Sequence, residues 1–171
     1  DYMRDKRAKL RPHFKTPKCL AIAHKQLAAG AKGITCAKLS EAEVLARGGV
    51  SDILVANQVV DPAKLLRLAG LARSGSRITV AVDNPENVTA LSAAAVQMGA
   101  TLHVLIEVDV GMGRCGVSTP EAALALAQQV AASPGLVYEG LQAYEGHLCH
   151  LPERQERRAG VRVARSFLDG P

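Results

Sequence analysis

The chain reads as an α/β protein built on a parallel sheet, a TIM-type (β/α)8 barrel of which about six strand-helix units are present. Short β-branched or apolar runs alternate with longer amphipathic runs rich in alanine and leucine, the pattern of repeated strand-helix units. Lys15, Asn57, Asp83, Asp109 and Tyr144 each fall at the carboxyl end of a different predicted strand, where barrel enzymes assemble their sites. A doubly wound open sheet would share the alternation, but no glycine-rich dinucleotide fingerprint follows the first strand.

The first predicted strand, 10–15, sends Arg11, His13 and Lys15 to one face and Leu10, Pro12 and Phe14 to the other. Pro12 counts against it, because proline is confined to strand starts, edges and bulges. A helix over 18–29 stops at Gly30, and strand 33–37 follows. Ser40 and Glu43 form a capping box for a helix over 40–48 that ends at Gly48-Gly49. Strand 52–57 leads to Asp61-Pro62, a cap and first-turn proline for a helix over 61–73. Strand 77–83, a helix over 86–98 stopped by Gly99, and strand 102–110 come next. Thr119-Pro120-Glu121 opens a helix over 120–132, and strand 137–144 precedes a charged helix over 153–168.

A chain of 171 residues and 18.0 kDa buries one core, so residues 1–171 are expected to form one domain. Six units against the eight strands and roughly 250 residues of a complete barrel predict that this domain is partial and belongs to a longer enzyme. No apolar run approaches the roughly 18 residues that span a bilayer. The charged start, Asp1 to Arg7, lacks the apolar centre of a secretory signal; Cys19, Cys36, Cys115 and Cys149 are too scattered for a paired metal motif, and their even number without such a signal does not suggest a disulfide framework. The expectation is a cytoplasmic protein with reduced thiols. A net charge of +5 permits nucleic-acid binding, but the basic residues lack aromatic interleaving and zinc-finger spacing, so no nucleic-acid partner is expected.

Neighbouring cations and partial burial disfavour an ammonium ion, so a lysine beside Arg11 and His13 is a candidate amine nucleophile at Lys15. The alternative is a solvated lysine at a strand end. Lys18 competes for the role, and His13 reads equally as a core histidine. Arg114 sits among Gly111, Gly113 and Gly116, which let backbone approach a ligand while the guanidinium offers a fork to oxyanions; the alternative is a surface turn. Tyr144, His147, Cys149 and His150 make a second polar cluster, suited to proton transfer. Three donors within four residues, His147, Cys149 and His150, is not a standard zinc spacing, so no metal ligands are assigned. Asn57 and Asp83 either face a ligand or cap the turns that follow them.

Arg11 to Lys18, Ser40 to Glu43, Asn57-Gln58-Val59, Gly111-Met112-Gly113-Arg114-Cys115-Gly116 and Gln142 to His147 occur in an order and spacing that resembles the alanine racemase-like barrel of pyridoxal phosphate enzymes. Within it the chain looks like the D-threonine aldolase, 3-hydroxy-D-aspartate aldolase and D-serine dehydratase group. The resemblance implies pyridoxal 5'-phosphate as cofactor and Lys15 as its Schiff-base lysine. It implies cofactor contacts from Arg114, Tyr144 and Asn57, and His147 or His150 near the substrate hydroxyl. It also implies cleavage of D-3-hydroxy amino acids, a divalent metal held by a later β-domain, and a homodimer in the longer protein. A D-serine dehydratase or an amino-acid racemase is the alternative activity, and a noncatalytic pyridoxal phosphate carrier would share the barrel and the lysine. By this resemblance the chain opens inside the first helix and closes before the phosphate loop.

Overall fold

A computed structural model describes residue 3 and residues 6–169. The elements in chain order are α1 (Leu20–Ala28), β1 (Ile34–Cys36), α2 (Leu39–Arg47), β2 (Asp52–Val55), α3 (Pro62–Arg73), β3 (Arg77–Val82), α4 (Pro85–Met98), β4 (Leu102–Val108), α5 (Pro120–Ala132), β5 (Leu136–Ala143), a 3-10 turn (Gly146–His150) and α6 (Arg154–Asp169).

The five strands are all parallel and stand in sequence order, β1-β2-β3-β4-β5. A doubly wound sheet would reverse its order at a switch point. Without a reversal, right-handed crossovers lay every helix on the same face, and the sheet curls as part of a barrel. Period two then divides each strand. Ile78, Val80 and Val82 of β3 and Val104, Ile106 and Val108 of β4 join Leu45, Leu65, Leu68, Leu91 and Leu126 in one core under the helices. The alternate positions, among them Thr35, Leu54, Thr79, His103 and Glu107, line the concave face.

At the amino ends of the strands that face is closed by charge. Arg11 donates to both Asp52 carboxylate oxygens at 2.9 and 3.0 Å. Arg77 reaches Asp52 at 3.7 Å and Glu139 at 2.6 Å, and His103 meets the same Glu139 oxygen at 2.7 Å. Glu139 is available because β5 shifts register there: Val104 pairs with Tyr138, Leu105 with Gly140. The extra residue is Glu139, and Gly140 absorbs the bulge at φ 127°.

The predicted strand 10–15 is not a regular strand. His13 makes one parallel bridge to Thr35, with Thr35 N–H donating to Pro12 O and Phe14 N–H to Thr35 O. Pro12 has no N–H to extend the ladder toward Gly33, so the segment lies beside β1 without joining it. The helix predicted from 18 starts at Leu20, because Lys18 sits at φ 42°, outside helical space. The Ser40/Glu43 capping box does not form either. Helix α2 begins one residue early, its N-cap Lys38 makes no side-chain bond, and Glu41 reaches back to Ala37 N–H at 2.9 Å. Glu43 instead takes a fork from Arg67, both contacts at 2.8 Å. Asp61 and Thr119 cap as their sequence predicts, accepting from Lys64 and Ala122 N–H at 3.0 and 3.2 Å. The 3-10 turn was not foreseen, and it carries both His147 and His150.

Candidate active site

A cavity of about 630 Å³ opens at the carboxyl ends of the strands. His13, Lys15, Asn57, Arg114, Gln142 and Tyr144 supply its polar groups, and Thr35, Ala37, Leu54, Ala56 and Ala143 complete its wall. The volume lies within the range of small-molecule sites. Four residues singled out in the sequence, Lys15, Asn57, Arg114 and Tyr144, thus converge from separate segments on one space.

The order begins at the bridge to β1. His13 is fixed by that bridge, and its Nδ1 accepts the backbone N–H of Lys15 at 3.1 Å, which assigns any proton on the neutral ring to Nε2. Burial, then the charge of Lys15, lowers the His13 pKa against the opposing pull of Glu41. The expected stack of three cations does not form, because Arg11 is neutralised by Asp52 at the far end of the barrel and the lowered pKa of His13 favours its neutral ring. Lys18 does not line the cavity and pairs with Glu41 at 3.2 Å.

The second wall is the glycine loop after β4. Asp109 accepts the amides of Gly111 and Gly113, each at 3.0 Å, and those bonds, Gly113 first, hold its carboxyl below the usual range. Asp83, at the end of β3, accepts the amide of Gly116 at 2.9 Å. A side chain at Gly116 would meet the backbone of Val108 and Asp109 at 2.7 Å, and its φ is 104°. Glycine is therefore required by both space and conformation. Two carboxylates brace the loop, and Arg114 projects from it with its guanidinium carbon 5.5 Å from the Tyr144 ring centre, within cation-π distance. The hydrogen bond with Cys115, against the opposing effect of burial, raises the pKa of that guanidinium, and nearby charges add to it.

Asn57 is placed by its turn. It accepts Gln58 N–H at 3.0 Å, capping its own turn, and it still lines the cavity. Asp83 serves the loop. His147 and His150 are exposed and lie outside the cavity. His147 rests against the backbone of Gly111, close enough to add to the stabilisation of the Asp109 carboxylate. Among the described residues no three His, Cys, Asp or Glu side chains converge as metal donors, so His147, Cys149 and His150 do not form a cluster.

Sequence reasoning passed over Glu107. It is buried, accepts the Gln58 amide at 2.7 Å and takes the Cys115 thiol at 3.3 Å. The signal was present: one acidic residue in the otherwise apolar end of β4, Val104 to Val108. Gln142, whose side-chain oxygen is buried without a hydrogen-bond partner, lines the cavity and was likewise not assigned a role.

The family model for the alanine racemase N-terminal domain matches residues 1–169. The chain belongs to that family. It is 51% identical over 162 residues to D-threonine aldolase of an Arthrobacter species, covering 92% of this chain and 42% of the relative. To 3-hydroxy-D-aspartate aldolase of Paracoccus denitrificans it is 42% identical over 165 residues, covering 96% and 43%. The crystal structure of D-threonine aldolase from Filomicrobium marinum superposes with a TM-score of 0.96 at 41% identity, over 99% of this chain and 45% of that one. D-threo-3-hydroxyaspartate dehydratase from Delftia sp. HT23 superposes at 0.82 with 32% identity, over 98% and 46%. This alanine racemase N-terminal domain chain spans less than half the length of each of these relatives.

Proposed function

We propose that the chain is the pyridoxal 5'-phosphate-binding barrel part of a lyase that cleaves D-3-hydroxy amino acids, of D-threonine or 3-hydroxy-D-aspartate type, to glycine and an aldehyde or oxoacid. The observation that carries the reading is the convergence of Lys15, Arg114, Tyr144 and Asn57 on one cavity of about 630 Å³. Aldolase relatives at 42–51% identity support the substrate class.

The residues present fit the cofactor. A primary amine stands at the cavity mouth, a guanidinium and a phenol face it, and the wall between them is made of small and apolar groups that admit a flat ring. When bound, pyridoxal phosphate supplies the electron sink that lets a bond to the substrate α-carbon break. Lys15 is the covalent attachment point. Arg114 holds an oxyanion, either the cofactor's phenolic oxygen or the substrate carboxylate, and the braced loop keeps it aimed. Tyr144 stacks on Arg114 and orders it, and Asn57, on the same cavity wall as the end of β2, would help hold the cofactor. His147 or His150, on the 3-10 turn and outside the cavity, would take the proton of a substrate hydroxyl that projects past its rim.

A divalent metal near that hydroxyl, a homodimer and a cytoplasmic location complete the reading for the whole protein. A dehydratase would use the same residues and is favoured by the similarity to the Delftia enzyme. Products separate the two: cleavage gives glycine, dehydration gives ammonia and an oxoacid. The test is borohydride reduction of the full-length protein loaded with pyridoxal phosphate, then peptide mapping. A phosphopyridoxyl group on Lys15 and glycine released from D-threonine or 3-hydroxy-D-aspartate support the proposal. Label on Lys18 or scattered over surface lysines refutes it.

A further inference from the structure

We propose that Glu107 is a positioning residue that sets the pose of the Arg114 side chain, holding the Cys115 thiol and the Gln58 amide behind it. The inference rests on the proposed function and deepens it. Glu107 is 4% exposed, and a carboxyl group buried at that depth is costly unless its oxygens are used. Both are. Oε2 accepts from Gln58 on the loop after β2, and Oε1 accepts from Cys115, the residue next to Arg114. Asp83 and Asp109 grip only backbone amides of the glycine loop, whereas Glu107 grips side chains.

Glu107, Cys115, Arg114 and Tyr144 are among the residues that border a space of only about 10 Å³, room for at most one water. Arg114 thus stands next to a side chain that Glu107 holds, with the Tyr144 ring centre 5.5 Å from its guanidinium carbon. An exposed arginine otherwise samples many rotamers, and ordering it before a ligand arrives removes that cost from binding. The Glu107 charge also contributes, after the nearer Cys115 thiol, to the raised pKa of Arg114.

The test is a double-mutant cycle in the full-length protein: wild type, Glu107→Gln, Arg114→Ala and the pair, each stripped of cofactor and titrated with pyridoxal 5'-phosphate by absorbance. Glu107→Gln is expected to weaken binding about fivefold or more, and the loss should vanish in the Arg114→Ala background. Losses that multiply independently overturn the proposal. Cys115→Ala gives a second route should the glutamine variant not fold: its loss must vanish in the same background, and one that persists overturns the proposal. If wild type takes up no cofactor on Lys15, it is the proposed function that fails. The same cycle is then read by thermal unfolding, where a Glu107→Gln shift absent from the Arg114→Ala background supports the positioning role and a persistent one overturns it.

Discussion

The Asp83 carboxylate accepts the Gly116 amide at 2.9 Å and so ties the end of β3 to the far limb of a loop whose near limb is gripped by Asp109. The loop is held across two strands, and its backbone has no room for a side chain at Gly116. Gly116→Ala forces a Cβ against Val108 and Asp109 in a left-handed conformation. It is expected to cost about 1–3 kcal/mol of stability and to loosen Arg114. Thermal unfolding checks the first effect. A weaker affinity for pyridoxal phosphate checks the second.

Lys15 and Lys18 are three residues apart, and their surroundings separate them. Lys15 faces the cavity, while Lys18 is turned aside at φ 42° and engaged by Glu41. Lys15→Ala in the full-length protein should abolish borohydride-stable labelling and lower turnover about a thousandfold or more. Lys18→Ala should keep the label but lower stability, because the exposed ammonium pairs with a buried Glu41 carboxylate that would retain only the Ala37 amide and its own helix start. Labelling that survives Lys15→Ala and disappears with Lys18→Ala would reverse the assignment.

Much of this arrangement was legible in the residues, and the misses share a cause. Helix starts set by one side chain and its own backbone, Asp61-Pro62 and Thr119-Pro120, form as read. Ser40/Glu43 satisfies the same pattern, yet Arg67 of the next helix takes Glu43 and Lys18 takes Glu41, so partners distant in sequence decide which cap forms. The convergence of Lys15, Arg114 and Tyr144 could be read because Arg114 and Tyr144 follow strands and Lys15 follows the segment bridged to β1 at His13. Glu107 could not be assigned that way, since its meaning comes from Gln58 and Cys115 approaching it from other segments. Arg11 looked like a neighbour of Lys15 until Asp52 claimed it.

The charged floor predicts an acid limb in stability. Burial opposes ionisation of Glu139, but hydrogen bonds from Arg77 and His103 outweigh it and leave the carboxyl below its ordinary pKa of 4.5. A depressed carboxyl stabilises the fold at pH above its unfolded value, and that contribution is lost as pH falls through the folded value. The melting temperature should therefore decline below about pH 4.5. Glu139→Gln should lower stability at pH 7 and flatten the decline. An acid limb equally steep in the variant would show that other carboxyl groups cause it.

Thiol chemistry offers a check on the core that needs no cofactor. Cys36 is fully buried on β1, and burial, reinforced by the nearby Glu41 charge, pushes its thiol up to about 12. At pH 8 almost none of it is thiolate, the form that reacts. Cys149 is exposed on the 3-10 turn. Iodoacetamide at pH 8 should therefore modify Cys149 within the folded protein and leave Cys36 untouched until denaturant is added. Leu68→Ala, which empties a fully buried position of α3 in the same core, should cost about 2–5 kcal/mol. By weakening the packing over β1 to β3 it should also let Cys36 react at lower denaturant. If Cys36 is alkylated as fast as Cys149 in the native protein, β1 is not packed as described, and the bridge that orients His13 and Lys15 goes with it.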